Sequence, residues 1–327
     1  MAHEIESLFF VGPTPWHGLG IELKAPPTAE EAIIASGLDW AVATKPVFAQ
    51  FDGKVIEAPE HRAVVRDRDD RVLGIVGRKY TPLQNRQAFD WFDPVIQTGQ
   101  ASYHTAGSLR DGQIVWVLAQ VDGVIEVGGE DVVEKYLLLT NSHDGSRNVQ
   151  ALYTPIRVVC ANTLRVAIDG CQTAFRFRHT TSIAERLVEA QKALGIVNDQ
   201  FGKLGESYRQ LARTQVAREK IAEYLLKVFP PNPQAKSDAQ KQVVRARVID
   251  LFGGAGRGAD LATARGTAWG LYNAVTEYVD HERGLKDQAG AKVIPIGRAA
   301  GRLESVWLGD GAKVKERAFI EAVRLAA

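Results

Sequence analysis

Up to about residue 180 the apolar positions fall in short β-rich runs separated by turn signals. Beyond that point they recur at helical spacing over long stretches. Thr28–Ser36, TAEEAIIAS, is the early exception: Thr28 caps a short helix, Glu31 completes a capping box and Gly37 closes it. WAVATKPVFAQ, HRAVVRD and RVLGIVG then read as strands, the last two forming a hairpin about RDRDD. In TPLQNRQAFDWFDPVIQTG, Ala88, Phe89, Phe92, Val95 and Ile96 keep helical spacing, and Pro94 kinks the helix or starts a turn. Asp111-Gly112 joins ASYHTAGSLR to QIVWVLAQV as a second hairpin. KYLLLTN and NVQALYTPIRVV form a third pair across SHDGSR, with Pro155 bending the returning strand or leaving it at an edge. Cys160–Ile168 reads as a short helix. TAFRFRH is a last strand, with Phe175 and Phe177 on one face and Arg176 and Arg178 on the other.

From Ser182 to Phe229 the pattern is helical. Ser182 and Glu185 form a capping box, Ile183, Leu187, Ala190 and Leu194 make the stripe, and Gly202 and Gly205 are places where it could break. PPNPQAKSD ends that run, and AQKQVVRARVIDLF, TAWGLYNAVTEYVDHE and GDGAKVKERAFIEAVRLAA predict three more helices. The expected fold class is α+β: antiparallel hairpins with a packed helix over residues 1–180, then a helical region over 181–327.

Candidate chemistry narrows the picture mainly by exclusion. Cys160 and Cys171 lack CxxC or His spacing, so they read as reduced core thiols and no metal or other cofactor is expected. FGGAGRGAD follows a helix and lacks the phosphate-loop lysine, so it reads as a flexible connector. His143 and Asp144 in SHDG are too few for a metal site and would face opposite sides of a strand, so they shape a turn tip. No nucleophile has a recognisable base, and the chain reads as not an enzyme. The net charge of +1 provides no global field, no apolar run is long enough to span a bilayer, and MAHEIESLFF lacks a basic leader, so the expectation is a cytoplasmic protein.

One local signal stands out. Between Pro155 and Thr181 four arginines, Arg157, Arg165, Arg176 and Arg178, face Asp169 alone. Lys79, Arg66, Arg68, Arg71, Arg78, Arg110 and Arg147 lie near predicted hairpin ends of the same part, and Tyr80, Tyr103 and Tyr153 offer rings. Guanidinium forks and ring faces are what single-stranded nucleic acid binds; a solvated outer sheet face is the alternative. The candidate binding set is Lys79, Arg147, Tyr153, Arg157, Arg165, Arg176 and Arg178.

TPWHGLG, YTPLQNRQAFDWFDP, AGSLRDGQIVWVLAQV, YLLLTNSHDGSRNVQALYTPIRVVCANTL and GTAWGLYNAVTEYVDHE, in this order across almost the whole chain, resemble a family of phage- and plasmid-associated proteins catalogued as a domain of unknown function. That resemblance implies a mobile-element setting near DNA metabolism. The hairpins around a helix followed by helices are also similar in architecture to phage single-strand annealing proteins, which implies a single-stranded DNA partner and a homo-oligomer. The reading that follows is a single-stranded DNA-binding protein of the annealing or recombination kind. The alternative is a non-catalytic protein acting on a host or phage factor.

Overall fold

The computed structural model describes residues 5–12, 20–157, 162–163, 174–183, 185, 197–231, 238–283, 305–307 and 309–327. Cys160, Cys171, Arg165 and the stripe residues Leu187, Ala190 and Leu194 lie outside them.

Three long antiparallel strands form the centre of a nine-stranded sheet among the described residues: β6 (Ala101–Leu109), β7 (Ile114–Gly128) and β8 (Asp131–Ser142). Beyond β6 lies β1 (Ile5–Val11), followed by the short parallel β2 (Ile21–Leu23). Beyond β8 the returning chain is split at Thr154-Pro155. β9 (Val149–Tyr153) pairs with Leu137–Thr140, and β10 (Ile156–Arg157) pairs with Val133 and Glu134. Proline cannot donate to the ladder, which accounts for the break. β12 (Ala174–Phe177) lines the outer edge of β9, and β11 (Asn162–Thr163) that of β10. The expected helix over Cys160–Ile168 is therefore corrected at Asn162 and Thr163, which are strand, because β10 offers them an open edge.

QIVWVLAQV and KYLLLTN are continuous apolar runs, and both of their faces are buried. Val115, Val117, Ala119, Leu137 and Leu139 belong to the main core, while Ile114, Trp116, Leu118, Tyr136 and Leu138 cluster with Leu8 and Phe10 on the opposite face. A separate three-stranded sheet holds β3 (Val42–Phe51), β4 (Lys54–Arg66) and β5 (Val72–Gly77), all antiparallel. α1 (Ala29–Ala35) carries the predicted Thr28–Glu31 capping box. Pro94 sits in the first turn of α3 (Asp93–Gln97), separate from α2 (Asn85–Asp90).

The helical part comprises α4 (Val197–Arg213), α5 (Arg218–Val228), α6 (Ala239–Asp250), α7 (Ala268–Glu277) and α8 (Asp310–Ala326). Neither Gly202 nor Gly205 interrupts α4. The break comes at Thr214–Ala217, where Gln215 bridges to Thr267 and the Ala268 N–H bonds to the Thr214 carbonyl at 2.8 Å. α7 is buried on every side, as an apolar-all-round helix should be. Gly270 on it has no substitute, since a Cβ there would lie 1.8 Å from the Ala264 carbonyl oxygen. The FGGAGRGAD loop is not a loose connector: the Glu277 carboxylate accepts the Arg257 N–H at 3.0 Å. Asp131 at the start of β8 accepts from Thr263 Oγ1 (2.6 Å) and Trp269 Nε1 (2.9 Å), so the helices lie against the sheet. The change near residue 180 is a change of secondary structure; a single buried cluster runs across it from Phe9 to Ala322.

Candidate functional site

The β8–β9 turn is built around Asp144. Its carboxylate accepts from Ser142 Oγ and from the Ser146 N–H (2.9 Å), an Asx turn that Gly145 completes at φ 74°. Arg147 leaves this turn with its N–H on Ser142 Oγ at 3.3 Å.

Beneath the turn lies a polar knot. His143 is fully buried, with Nε2 2.9 Å from Asn85 Oδ1 and its ring 5.3 Å from that of Trp40. Asn85 Nδ2 donates to the Leu38 and Trp40 carbonyls, both at 3.1 Å, so Oδ1 is the acceptor and Nε2 must carry the proton. Burial, and next the nearby His179, bring the His143 pKa down to about 3, and the ring is neutral at physiological pH. The expected role at the turn tip is corrected for His143: it is an internal anchor, and Asp144 alone shapes the turn.

A second latch joins β12 to the chain after β5. Tyr80 stacks on His179 at 4.4 Å and donates its hydroxyl to the Ser142 carbonyl at 2.8 Å. The Thr81 N–H bonds to the His179 carbonyl at 3.1 Å, and His179 Nδ1 returns to the Thr81 carbonyl at 3.3 Å. Burial raises the Tyr80 pKa and lowers that of His179, so both rings are uncharged at neutral pH.

These contacts decide where the cations stand. Lys79 precedes Tyr80, and Arg178 precedes His179. The Phe177–Val149 pairing brings Arg178 and His179 alongside the Arg147 end of the turn, and Arg176 sits opposite Gln150. Arg176, Arg178 and Lys79 are exposed and Arg147 is half-buried. The Phe-Arg alternation is as expected: Phe177 is buried and Phe175 half-buried, their rings parallel at 6.5 Å, while Arg176 faces out. β12 has β9 as its one ladder partner among the described residues, so this is an open edge.

Other members of the expected set lie elsewhere. Tyr153 is 5% exposed and packs edge-on to Phe201 at 5.5 Å, so it has no face to offer; β9 turns it into the core with Ala151. Tyr103 is buried too and bonds to the Phe89 carbonyl. Arg157 lies in β10, away from the β12 edge, and Arg165 is outside the described residues. The arginines about the β4–β5 hairpin are committed to acids: Arg66 to Glu6 and Asp69, Arg68 to Glu6, Arg71 to Asp111, Arg78 to Glu60. Lys79, Arg176 and Arg178 make no ion pair among the described residues. The Tyr80–His179 stack was missed from the sequence because its rings are almost a hundred residues apart. Among the described residues, no three His, Cys, Asp or Glu side chains form a metal-holding group.

A family model described as a domain of unknown function (DUF932) matches residues 72–307. No curated protein and no solved structure matches the chain.

Proposed function

The chain belongs to the DUF932 family, whose description assigns no activity, and from the site itself we propose that it binds single-stranded nucleic acid along the β12 edge. The observation that carries the reading is the gathering of Lys79, Arg176 and Arg178, without acid partners, beside Arg147 and the Tyr80–His179 ring stack. Exposed guanidinium groups suit backbone phosphates, and the half-buried Tyr80 ring beside them, backed by the buried His179, suits a base. Binding of this kind needs no catalytic group, and the protein acts as a non-enzymatic, self-assembling DNA-binding factor of the annealing or recombination kind. A cytoplasmic, mobile-element setting fits that role. No helix among the described residues is long and apolar enough to cross a membrane.

Fluorescence anisotropy of a labelled oligonucleotide, titrated at several salt concentrations, tests the proposal. Log affinity should fall linearly with log salt, by about 0.7 per phosphate neutralised. Arg176→Ala with Arg178→Ala should reduce that slope by about 1.4 and weaken binding alike for all sequences. An unchanged slope and affinity in the double variant would remove the β12 edge from consideration. A second reading, a protein that works by docking on another protein, is favoured by the apolar exposure of the small sheet, where Phe48 is 57% and Phe51 75% accessible.

A further inference from the structure

A pocket of about 470 Å³ opens at the Asp131 end of β8, the opposite end from the SHDG turn. Its walls are the β7–β8 turn, the end of α4 and the loop that leads into α7. Each wall is tied to another. Thr263 Oγ1 donates to Asp131 at 2.6 Å, Arg209 Nη1 donates to the Glu126 carbonyl at 3.1 Å, and the Ala268 N–H bonds to the Thr214 carbonyl at 2.8 Å. Small residues keep the space between them open. Gly129 turns at φ 56°, where a side chain is strained, and a Cβ on Gly128 would lie 2.9 Å from Thr263 Cγ2.

The lining is apolar at Val127, Ala212, Leu261 and Ala262 and carries three charged side chains, Arg209, Arg213 and Glu130. None of the three makes an ion pair among the described residues. Arg213 stands in the last turn of α4, where a cation suits the helix dipole, and that place by itself accounts for it. Arg209 has no such account. A backbone carbonyl holds its Nη1, which positions the guanidinium and leaves its charge uncompensated. Gly205 makes room for the group: a Cβ there would lie 3.1 Å from Nη1 and 3.4 Å from Nη2. A guanidinium fixed in advance, with donors to spare beside apolar walls, suits an oxyanion carried on an apolar body.

Glu130 limits the charge of that ligand. Two guanidinium groups less one carboxylate leave +1 over the lining, which balances a monoanion and not a dianionic phosphate. We propose that this pocket binds a small carboxylic acid with an apolar ring or chain, its carboxylate on Arg209 and its body against Val127, Ala212, Leu261 and Ala262. Arg213, four residues on, shares the helix face of Arg209 and adds its charge. The volume lies within the range of small-molecule sites, roughly 300–1,000 Å³. The proposal is independent of the β12 edge, since none of these residues belongs to the nucleic-acid-binding set.

Titration calorimetry on the full-length protein tests this with a set of matched probes. Naphthoate supplies ring and carboxylate, naphthamide the ring without the charge, acetate the charge without the ring, and naphthyl phosphate the ring with a dianion. Naphthoate should bind at a single site, with naphthamide and acetate each weaker by about tenfold or more. Arg209→Gln, which keeps an amide donor for the Glu126 carbonyl, should weaken naphthoate about tenfold, the size of a lost charge-assisted hydrogen bond, and leave naphthamide unchanged. Ala262→Trp should fill the pocket and abolish binding of both. Ala262 is exposed, so that variant should keep the parent's thermal melt. If it melts early instead, the Arg209→Gln comparison decides alone. Naphthoate binding unchanged in both variants, or no binding of any probe by the parent, would overturn the pocket as a site. Naphthamide binding as tightly as naphthoate, or naphthyl phosphate binding more tightly, would overturn the carboxylate monoanion as its ligand.

Discussion

Arginines stand at two edges of this molecule under different conditions. At the end of β4, Arg66 is 2% exposed, its guanidinium held by Glu6 at 2.9 Å and Asp69 at 2.7 Å and lying 5.2 Å from the Trp40 ring centre. The hydrogen bond that Arg66 donates, and to a lesser degree its charge, in turn hold Asp69 down to a pKa of about 2. Along β12, Arg176 and Arg178 stand in water beside the open side of the sheet. The residue type is the same, but the first group cements the small sheet to β1 and the second leaves its charge available. The difference lies in the acids: RDRDD interleaves aspartates with its arginines, whereas Pro155–Thr181 contains Asp169 alone. Local charge balance, rather than arginine count, separates the structural cations from the candidate binding ones.

The comparison can be broken most forcefully at β12's apolar side. Phe177→Ala should destabilise the protein by about 4 kcal/mol, because the ring is 8% exposed and its loss leaves a cavity under the edge strand. A urea titration that finds less than about 1 kcal/mol would mean β12 is not anchored through this face. Arg66→Ala comes next. It strands Glu6 and Asp69 without their cation and should cost about 3 kcal/mol, less than a wholly enclosed pair because both acids still reach solvent. Denaturation should register that loss, with oligonucleotide affinity of the remaining folded protein unchanged.

Acid sharpens the contrast between the turn and the arginines it supports. His143 has a folded pKa near 3 against about 6.5 in the unfolded chain, so the unfolded state binds more protons between those values. Its contribution is fully present above pH 6.5 and is lost progressively as the pH falls toward 3. Each unit below 6.5 removes about 1.4 kcal/mol, hence about 2 kcal/mol at pH 5. The lowered pKa of His179 and His104 acts in the same direction. Thermal melts at pH 7 and pH 5 should differ accordingly, and the difference should shrink in His143→Gln. The smallest effect belongs to Arg176→Ala with Arg178→Ala, where the melting curve should stay within about 0.5 kcal/mol of the parent. A larger loss would place these arginines with Arg66 as structural groups and erase the distinction.

Much of the local architecture was readable from the residue order alone. The capping box at Thr28, the turn at Asp111-Gly112, the Phe-Arg alternation of β12 and the interruption at Pro155 depend on neighbours two to four residues apart, and those contacts are written in the chain. The tight turn at Asp52-Gly53 carried the same kind of signal, although the β3–β4 ribbon it closes was not read as a hairpin. The site depended on longer reach. That Tyr153 turns into the core against Phe201, that Tyr80 meets His179, that His143 is sealed against Asn85 and Trp40, and that Arg66 finds Glu6 all require strands distant in sequence to be docked. Spacing along a strand tells which residues share a face. Which face is covered, and whether a charge finds its opposite, is decided by the packing of the two sheets and the helices, because burial and ion pairing are properties of surfaces that meet only in the folded chain.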